Sequence, residues 1–366
     1  MSKFIKWTIA IIIIVLPIVI ITSVLDVSES EFSNYNEYYF NNLQLEEKKI
    51  YVKIDEAIKQ KEENVIIKVN GTEGLTDRIN KVITAYFYDN PECYYVSNEY
   101  SIKILDYKIV TLATIRFDFL IDLDIELQDE NKRLDDAIAT ILDNVIDESM
   151  TDFEKELAIH DALAKHVSYY KYEDINEIPA IKHTSYGALV EKEAVCDGYS
   201  KAYKMLLEKA GIDSIIVNGM ANKVSHAWNL VRLENEYYHV DVTSDRLEEK
   251  NNKYASHSYF NLTDKEIINT HTISRSYIYP ECESQAYNYY EYSGYSIKYN
   301  ENLYSRLMDI EEKQKASKIL EIKVDSRYTA QDIINELYDI NFNNWRTSAK
   351  SKVTYTKIGD VYIFVK

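Results

Sequence analysis

Three side chains in this sequence have the types and neighbours that thiol chemistry needs. Cys196 lies in EAVCDGYSKAY, His226 in SHAWNLV and Asp241 in YHVDVTSD. A cysteine attacks a carbonyl carbon once a histidine has taken its proton, and a carboxylate orients the histidine and stabilises the imidazolium. The three residues therefore predict a nucleophile, a base and an orienting acid for acyl transfer.

Cys196 is predicted to begin a helix. Residues 197–210 carry apolar side chains at helical spacing, and Gly211 is a typical helix stop. The first turn of a helix has unpaired backbone amides and a positive dipole end, which favour a thiolate. A lone cysteine there is more often a small buried side chain, so the interpretation depends on its two partners. The Cys196 amide is the expected oxyanion donor, and the sequence identifies no second one.

His226 and Asp241 are predicted to face each other across a hairpin. A two-residue turn pairs Leu233 with Glu236 and places Asp241 diagonal to His226, with Thr243 opposite the histidine. A three-residue turn would break this parity.

Other side chains in and around the motifs are expected to have structural or peripheral roles. Trp228 shares the His226 face and is either core or a wall of the substrate cleft, with the cleft slightly favoured. His239 shares that face and is expected to be packed or hydrogen-bonded. The remaining histidines are expected to be structural or exposed on a helix (His160, His166) or solvated in loops (His183, His257, His271). Asp197 and Asp245 are expected to be solvated or capping groups.

No metal site or cofactor is predicted. Zinc sites have three or four ligands, often at short spacing such as HExxH or paired CxxC, and neither pattern occurs. No acidic loop of the EF-hand type suggests calcium. The formal net charge of −18 opposes binding to a phosphate backbone, so nucleic acid is not an expected partner.

The elements that must position the triad follow from periodicity. We predict helices over 43–61 and 76–88, a strand over 65–69 and two antiparallel strands within 94–126. Thr151 and Glu154 form a capping-box signature that opens the next helix. Strands are then predicted near 212–219, 226–233 and 236–243, followed by a helix over 331–340 and a closing hairpin.

The N-terminus is predicted to anchor the chain in a membrane. Trp7 to Leu25 is nearly unbroken apolar sequence of about the length that spans a bilayer. Lysines precede it and acids follow it, so the N-terminus is expected in the cytoplasm and the rest outside the cell membrane, as a single-pass protein. A cleaved signal peptide is disfavoured because the stretch is long and lacks a small-residue cleavage site.

The high tyrosine content and the pairing of the cysteines can each be interpreted in two ways. The 33 tyrosines indicate either compositional bias with ordinary packing, which is favoured, or a glycan- or wall-binding surface. Outside the membrane, disulfides are possible. If Cys196 is free, Cys93 and Cys282 are the remaining pair, with two reduced thiols as the simpler default.

AVCDGYSKAY, SHAWNLV and YHVDVTSD together resemble the three motif blocks of the transglutaminase-like superfamily. The resemblance covers roughly residues 148–290 and implies an α+β, papain-like core in which a nucleophile helix packs on an antiparallel sheet. Many members have Pro-Thr-Trp where this chain has residues 242–244, and Gly where it has Ser225. Both departures concern pocket shape and substrate and leave the triad intact.

The predicted organisation is an anchor (1–25), an N-terminal α/β domain (26–147), a catalytic domain (148–290) and a small C-terminal α/β domain (291–366). The predicted activity is hydrolysis or transamidation of peptide or isopeptide bonds outside the cell. The expected partners are peptide or protein substrates, including cell-wall peptides. The alternative is a wall- or protein-binding module with an idle triad.

Overall fold

The computed structural model describes residues 27–69, 71–107, 111–121, 123–249, 252–339 and 355–365. The predicted membrane anchor lies outside these residues. Within the described ranges, no helix has the length and apolar character needed to cross a bilayer.

Contacts divide the chain into two compact units. The N-terminal unit runs to Glu130 and includes Ser276–Ile278, and the C-terminal unit comprises Asn131–Arg275 and Tyr279–Lys366. The predicted domain boundaries at 147 and 290 stay predictions, because compactness alone does not define a domain.

The N-terminal unit is a small α/β structure with an antiparallel sheet in the order β1-β3-β2. Its helices are α1 (Tyr38–Asn42), α2 (Leu45–Lys59) and α3 (Leu75–Asp89), and its strands are β1 (Asn64–Val69), β2 (Val96–Asp106) and β3 (Thr111–Phe119). The predicted helices and strands of this region are confirmed.

Helix α4 (Asp124–Val145) was not predicted. Most of its side chains are polar, and only Leu134, Ile138 and Ile141 are buried, at a spacing of four and three residues. This narrow apolar stripe is typical of a helix with one face on a core, but its three residues are easily overlooked among so many charges.

Buried tyrosines contribute to the core of the N-terminal unit. Tyr86 is buried and donates to Asp55 Oδ1 at 3.2 Å, and Tyr51 is buried and donates to Asp89 Oδ2 at 3.1 Å. Burial with a bonded hydroxyl is the usual way in which tyrosine serves as a packing residue. These residues favour the packing interpretation of the tyrosine content.

The C-terminal unit holds the three predicted catalytic residues. Its further helices are α5 (Asp152–His166), α6 (Ser185–Leu189), α7 (Cys196–Lys209), α8 (Val242–Asp245), α9 (Asp264–Ile267), α10 (Tyr289–Ser293), α11 (Leu303–Lys313) and α12 (Ala330–Asp339). Its first strands are β4 (Ser168–Tyr169), β5 (Glu193–Ala194), β6 (Ser214–Ala221), β7 (Val224–Leu233), β8 (Glu236–Val240), β9 (Arg246–Glu249) and β10 (Asn252–Ala255). Its last strands are β11 (His271–Ile273), β12 (Ser296–Ile297), β13 (Ile319–Val324), β14 (Tyr355–Ile358) and β15 (Val361–Val365).

A helix packed on an antiparallel sheet forms the centre of this unit. The sheet has the order β11-β6-β7-β8, and α7 packs on β6 and β7. Leu233 pairs with Glu236, so the predicted two-residue turn is confirmed. The α+β arrangement of a helix on an antiparallel sheet that the sequence resemblance implied is therefore present.

Helix α5 begins with the predicted capping box. The Glu154 amide donates to Thr151 Oγ1 at 3.3 Å, and the Glu154 carboxylate accepts from the Thr151 amide at 2.8 Å. Two otherwise unpaired amides at the helix start are thereby satisfied.

The end of the chain forms a second sheet, in the order β12-β13-β15-β14. Helices α11 and α12 cover it through a buried apolar cluster that includes Leu307, Ile310, Leu320, Ile333 and Phe364. The predicted helix over 331–340 and the closing hairpin are confirmed as α12 and β14–β15.

Candidate active site

Cys196 is the first residue of α7, as predicted, and its side chain is half-buried. The preceding residue, Val195, makes no side-chain bond to the first turn. The amide groups of this turn are therefore not capped by the residue before the helix, and they point toward the end where the thiol lies.

A glycine lets this end of α7 pack closely on the preceding segment. A Cβ atom at Gly198 would lie 2.7 Å from the Lys182 carbonyl oxygen and 2.8 Å from the Ala194 Cβ. Any larger residue would push the first turn away from these neighbours. Gly198 therefore helps to fix the position of Cys196.

The predicted base and acid are in contact. His226 lies on β7 opposite Gly219 of β6, and its Nε2 is 2.8 Å from Asp241 Oδ2. The other carboxylate oxygen, Oδ1, accepts from the Ser244 amide at 3.1 Å.

The local geometry around Asp241 differs from the prediction. Strand β8 ends at Val240, and Asp241 caps the short helix α8 instead of continuing the strand. The expected pairing of His226 with Thr243 is therefore wrong. The two functional side chains still meet because the chain turns only after β8 has brought it alongside β7.

Opposite charges stabilise the ionised forms of both groups. Burial lowers the pKa of His226, but the charge and hydrogen bond of Asp241, with a contribution from Cys196, raise it to about 10. Burial raises the pKa of Asp241, but His226 and His271 outweigh it and hold the pKa well below its usual value. At neutral pH the pair is an imidazolium and a carboxylate.

Cys196 is one of the groups that raise the pKa of His226, so its thiol belongs to the surroundings of that ring. Because Nε2 is taken by Asp241, Nδ1 is the ring nitrogen left for another partner. The structure thus places Asp241 against His226, and Cys196 at the start of the helix that packs on the strand of His226.

His271 was missed as a neighbour of the site. Its Nε2 is 3.1 Å from the same Asp241 Oδ2 that contacts His226, and its Nδ1 is 2.8 Å from Thr270 Oγ1. The expectation of a solvated loop residue is wrong, because His271 is 3 % exposed and begins β11. The β-branched residues around it were the signal for a strand.

Trp228 lies behind the histidine instead of on an open surface. It is 1 % exposed, its ring stacks on His226 at a centroid distance of 6.1 Å, and its Nε1 donates to His239 Nδ1 at 2.9 Å. The structure favours the core interpretation of Trp228 over the cleft wall, and it confirms that His239 is packed and hydrogen-bonded.

Tyr169 is a second neighbour that the sequence did not reveal. It pairs with Ala194 across β4 and β5, and it is half-buried. Burial, then the charge of Cys196, raises the pKa of Tyr169 above its usual value. Its hydroxyl therefore stays protonated at neutral pH and can donate a hydrogen bond.

Two carboxylates have closer partners than expected. Asp197 Oδ1 lies 3.0 Å from Nδ1 of His183, so neither is a freely solvated group. Asp245 is 0 % exposed and accepts from the Ser256 hydroxyl at 2.9 Å, so its expected exposure is wrong.

All three cysteines are free thiols. Burial raises the pKa of Cys93 to about 12 and also raises the pKa of Cys282 well above its usual value. Neither is suited to act as a nucleophile near neutral pH.

A helix-start cysteine near a sheet-borne histidine and a carboxylate is the arrangement that thiol enzymes use. A comparison with family models gives one match within this part of the chain. Residues 139–242 match the model of the Transglutaminase-like superfamily, so this part of the chain is a transglutaminase-like core.

The chain is also similar to several solved structures. A TGase crystal structure shares 14 % identity with a TM-score of 0.29, over 51 % of this chain and 52 % of that one. A proposed cysteine protease from Cytophaga hutchinsonii shares 16 % identity with a TM-score of 0.25, over 44 % of this chain and 66 % of that one.

A proposed protease from Parabacteroides distasonis shares 12 % identity with a TM-score of 0.23, over 39 % of this chain and 36 % of that one. This chain spans about half the length of the TGase structure. TM-scores of this size do not support any conclusion about activity. Among curated proteins, none is similar enough in sequence to count as a match.

Proposed function

We propose that this chain is an extracytoplasmic thiol enzyme that transfers acyl groups through Cys196, with His226 as base and Asp241 as orienting acid. The observation that carries the proposal is the 2.8 Å contact between His226 and Asp241, with Cys196 at the start of the helix that packs on the strand of His226. The transglutaminase-like core over residues 139–242 supports the same class of chemistry.

In the first step, the sulfur of Cys196 attacks the carbonyl carbon of an amide and forms a tetrahedral oxyanion. The carbon–nitrogen bond then breaks, and the imidazolium of His226 gives its proton to the leaving amine. The products are the free amine and a thioester on Cys196. The Asp241 carboxylate keeps the ring oriented throughout and stabilises its charged form.

In the second step, the now neutral His226 takes a proton from the acceptor that attacks the thioester. Water as acceptor gives a carboxylic acid, and a primary amine gives a new amide; both restore the thiol. The same triad serves either acceptor, so the choice between hydrolysis and transamidation depends on the walls of the cleft and on water exclusion.

Two groups are proposed to stabilise the oxyanion. The backbone amide of Cys196 is one, because it belongs to the uncapped first turn of α7. The Tyr169 hydroxyl is the other, because it stays protonated and Tyr169 pairs with Ala194, two residues before Cys196. Donors of this kind typically contribute about 10²–10³ in kcat.

The substrates are proposed to be peptides or proteins outside the cell, including cell-wall peptides. This part of the proposal rests on the apolar stretch from Trp7 to Leu25 and the lysines before it, which predict a single-pass protein with its catalytic part outside.

The test uses peptide amides that release a fluorescent amine, with and without a primary amine acceptor. We expect release by the wild-type chain, none by Cys196→Ala, and normal release by the matched variant Cys282→Ala. Mass spectrometry of the trapped thioester identifies the acylated residue, and the product shows whether water or amine attacked. Turnover that survives in Cys196→Ala would contradict the proposal.

A further inference from the structure

A second group of reactive side chains lies in the C-terminal unit apart from the triad. His160 and Asp161 are adjacent residues within α5, and His257 lies just after β10. Asp161 Oδ1 lies 3.3 Å from His160 Nδ1 and 2.9 Å from His257 Nε2. One ligand atom from each residue lies within 4.8 Å of the other two. We call these residues the His160 cluster.

In each histidine of the His160 cluster, the ring nitrogen that does not face Asp161 contacts a second carboxylate. His160 Nε2 lies 3.2 Å from Asp245 Oδ2, and His257 Nδ1 lies 2.7 Å from Glu321 Oε2. A carboxylate at that position keeps a proton on that nitrogen, so a metal ion can displace the proton that the other ring nitrogen shares with Asp161. This arrangement is typical of histidines that bind metal ions.

Two other His–carboxylate clusters occur among the described residues, and they fit a metal less well. In one, His239 Nδ1 accepts from Trp228, so its Nε2 carries the proton that points to Asp264 and has no lone pair to offer. In the other, Asp241 Oδ2 already binds both His226 and His271 within the candidate active site.

A cavity of about 530 Å³ borders the His160 cluster. Its walls include Asp161, His257 and Glu321, and its other residues are mostly tyrosines and lysines. An ion bound by the cluster would therefore have a path to solvent and a coordination position that faces the cavity. Three protein ligands and one open position are the pattern of a zinc site that also holds water or another small ligand.

Two buried polar atoms near His160 have no hydrogen-bond partner in the part of the chain that the structure describes. They are Oε1 of Glu156, one helical turn before His160, and the hydroxyl of Tyr203, whose ring centroid is 6.4 Å from that of His160. Buried polar atoms without a partner are costly, and the water ligands of an ion can satisfy such groups.

We infer that His160, Asp161 and His257 bind one divalent transition-metal ion, with Zn²⁺ as the ion whose preferences the two imidazoles and one carboxylate match. Asp245 and Glu321 orient the two histidines from behind. Because Glu321 belongs to β13, the bound ion joins the second sheet to helix α5 of the core. The site is independent of the proposed acyl transfer.

The test measures zinc bound to the full chain after removal of metal and dialysis against Zn²⁺ alone. It uses a Cys196→Ala background, so that zinc cannot bind the candidate active-site thiol. We expect one zinc ion per chain and a higher melting temperature with zinc. His257→Asn should abolish both, and Glu321→Gln, which keeps the volume, should weaken zinc binding roughly 10–100-fold.

The matched control is His239→Gln, which alters a different His–carboxylate cluster and should leave zinc binding unchanged. Circular dichroism of each variant without metal checks that it is folded; if His257→Asn is not, Glu321→Gln and Asp161→Asn decide the question. The inference is overturned if no zinc binds, if zinc binding is unchanged in these variants, or if calcium binds as tightly as zinc.

Discussion

At the scale of single residues, Asp241 determines the charge state of the candidate active site. Its Oδ2 contacts two imidazoles, at 2.8 Å from His226 and 3.1 Å from His271, while Oδ1 accepts from a backbone amide. A buried carboxylate with this many donors stays ionised. The anion in turn holds the proton on His226, which the leaving amine needs.

Asp241→Asn should remove the pH dependence of stability that the His226 pair causes. The wild-type pKa of His226 is raised from 6.5 to about 10, so the stabilisation is fully present below pH 6.5 and is lost as the pH rises through 10. Without the carboxylate, the folded-state pKa returns toward its ordinary value and this loss disappears. Urea unfolding at pH values across that window measures it.

The matched control for this prediction is Asp264→Asn, since Asp264 contacts His239, a histidine whose pKa is lowered by burial. His257 and its partner Asp161 are unaltered in all three proteins, so their contribution cancels in the comparison. A wild type and an Asp241→Asn variant with the same pH dependence of unfolding free energy would refute the assigned ion pair.

The three candidate catalytic residues could be proposed from the sequence, but the residues around them could not. Cys196, His226 and Asp241 lie in three short blocks whose local patterns indicate a helix start and a hairpin. Asp245 gave no signal of its burial and His271 gave only that of a strand, because their partners come from distant parts of the chain. Burial of a polar side chain depends on what the fold places beside it, and a local pattern does not contain that information.

At the scale of elements, the first turn of α7 is held by close backbone packing. Gly198→Ala would place a Cβ atom 2.7 Å from a carbonyl oxygen, so the helix end must shift. We expect a loss of about 1–3 kcal/mol in the free energy of unfolding and slower alkylation of Cys196, because the thiol moves away from His226. Urea unfolding and thiol labelling measure the two effects.

The other end of the same helix provides the control. Gly211 has a positive φ of 84° and open space around its Cα, so Gly211→Ala strains the backbone without moving the first turn. It should destabilise the protein but leave Cys196 labelling unchanged. Equal slowing of labelling in both variants would show that global stability, and not the packing of Gly198, controls the thiol.

The β7–β8 hairpin shows which features the sequence periodicity could predict and which it could not. The turn length and the Leu233–Glu236 pair were predictable, because both depend on neighbouring residues. The end of β8 was not predictable. The strand stops where Asp241 caps α8, and the Asp241 amide donates to the Tyr259 carbonyl at 3.0 Å. A distant carbonyl thus replaces the strand partner that alternation alone would predict.

At the scale of the whole molecule, the proposed location of the enzyme depends on residues 1–25. We expect the full chain to partition with membranes and a chain that begins at Asp26 to remain in solution, since about 20 apolar residues span a bilayer. Membrane fractionation measures this, with a version that carries two added lysines within 11–20 as control. A full chain that stays soluble would contradict the proposed anchor.

The pH dependence of Cys196 alkylation tests the central claim most directly. Near neutral pH, Cys196 should react faster than Cys93 and Cys282, whose pKa values burial raises. His226→Ala should slow Cys196 up to about 100-fold at pH 6.5, where an ordinary thiol is about 1 % ionised. Equal rates for wild type and His226→Ala across the pH range would contradict the thiol–imidazole pair on which the proposed function rests.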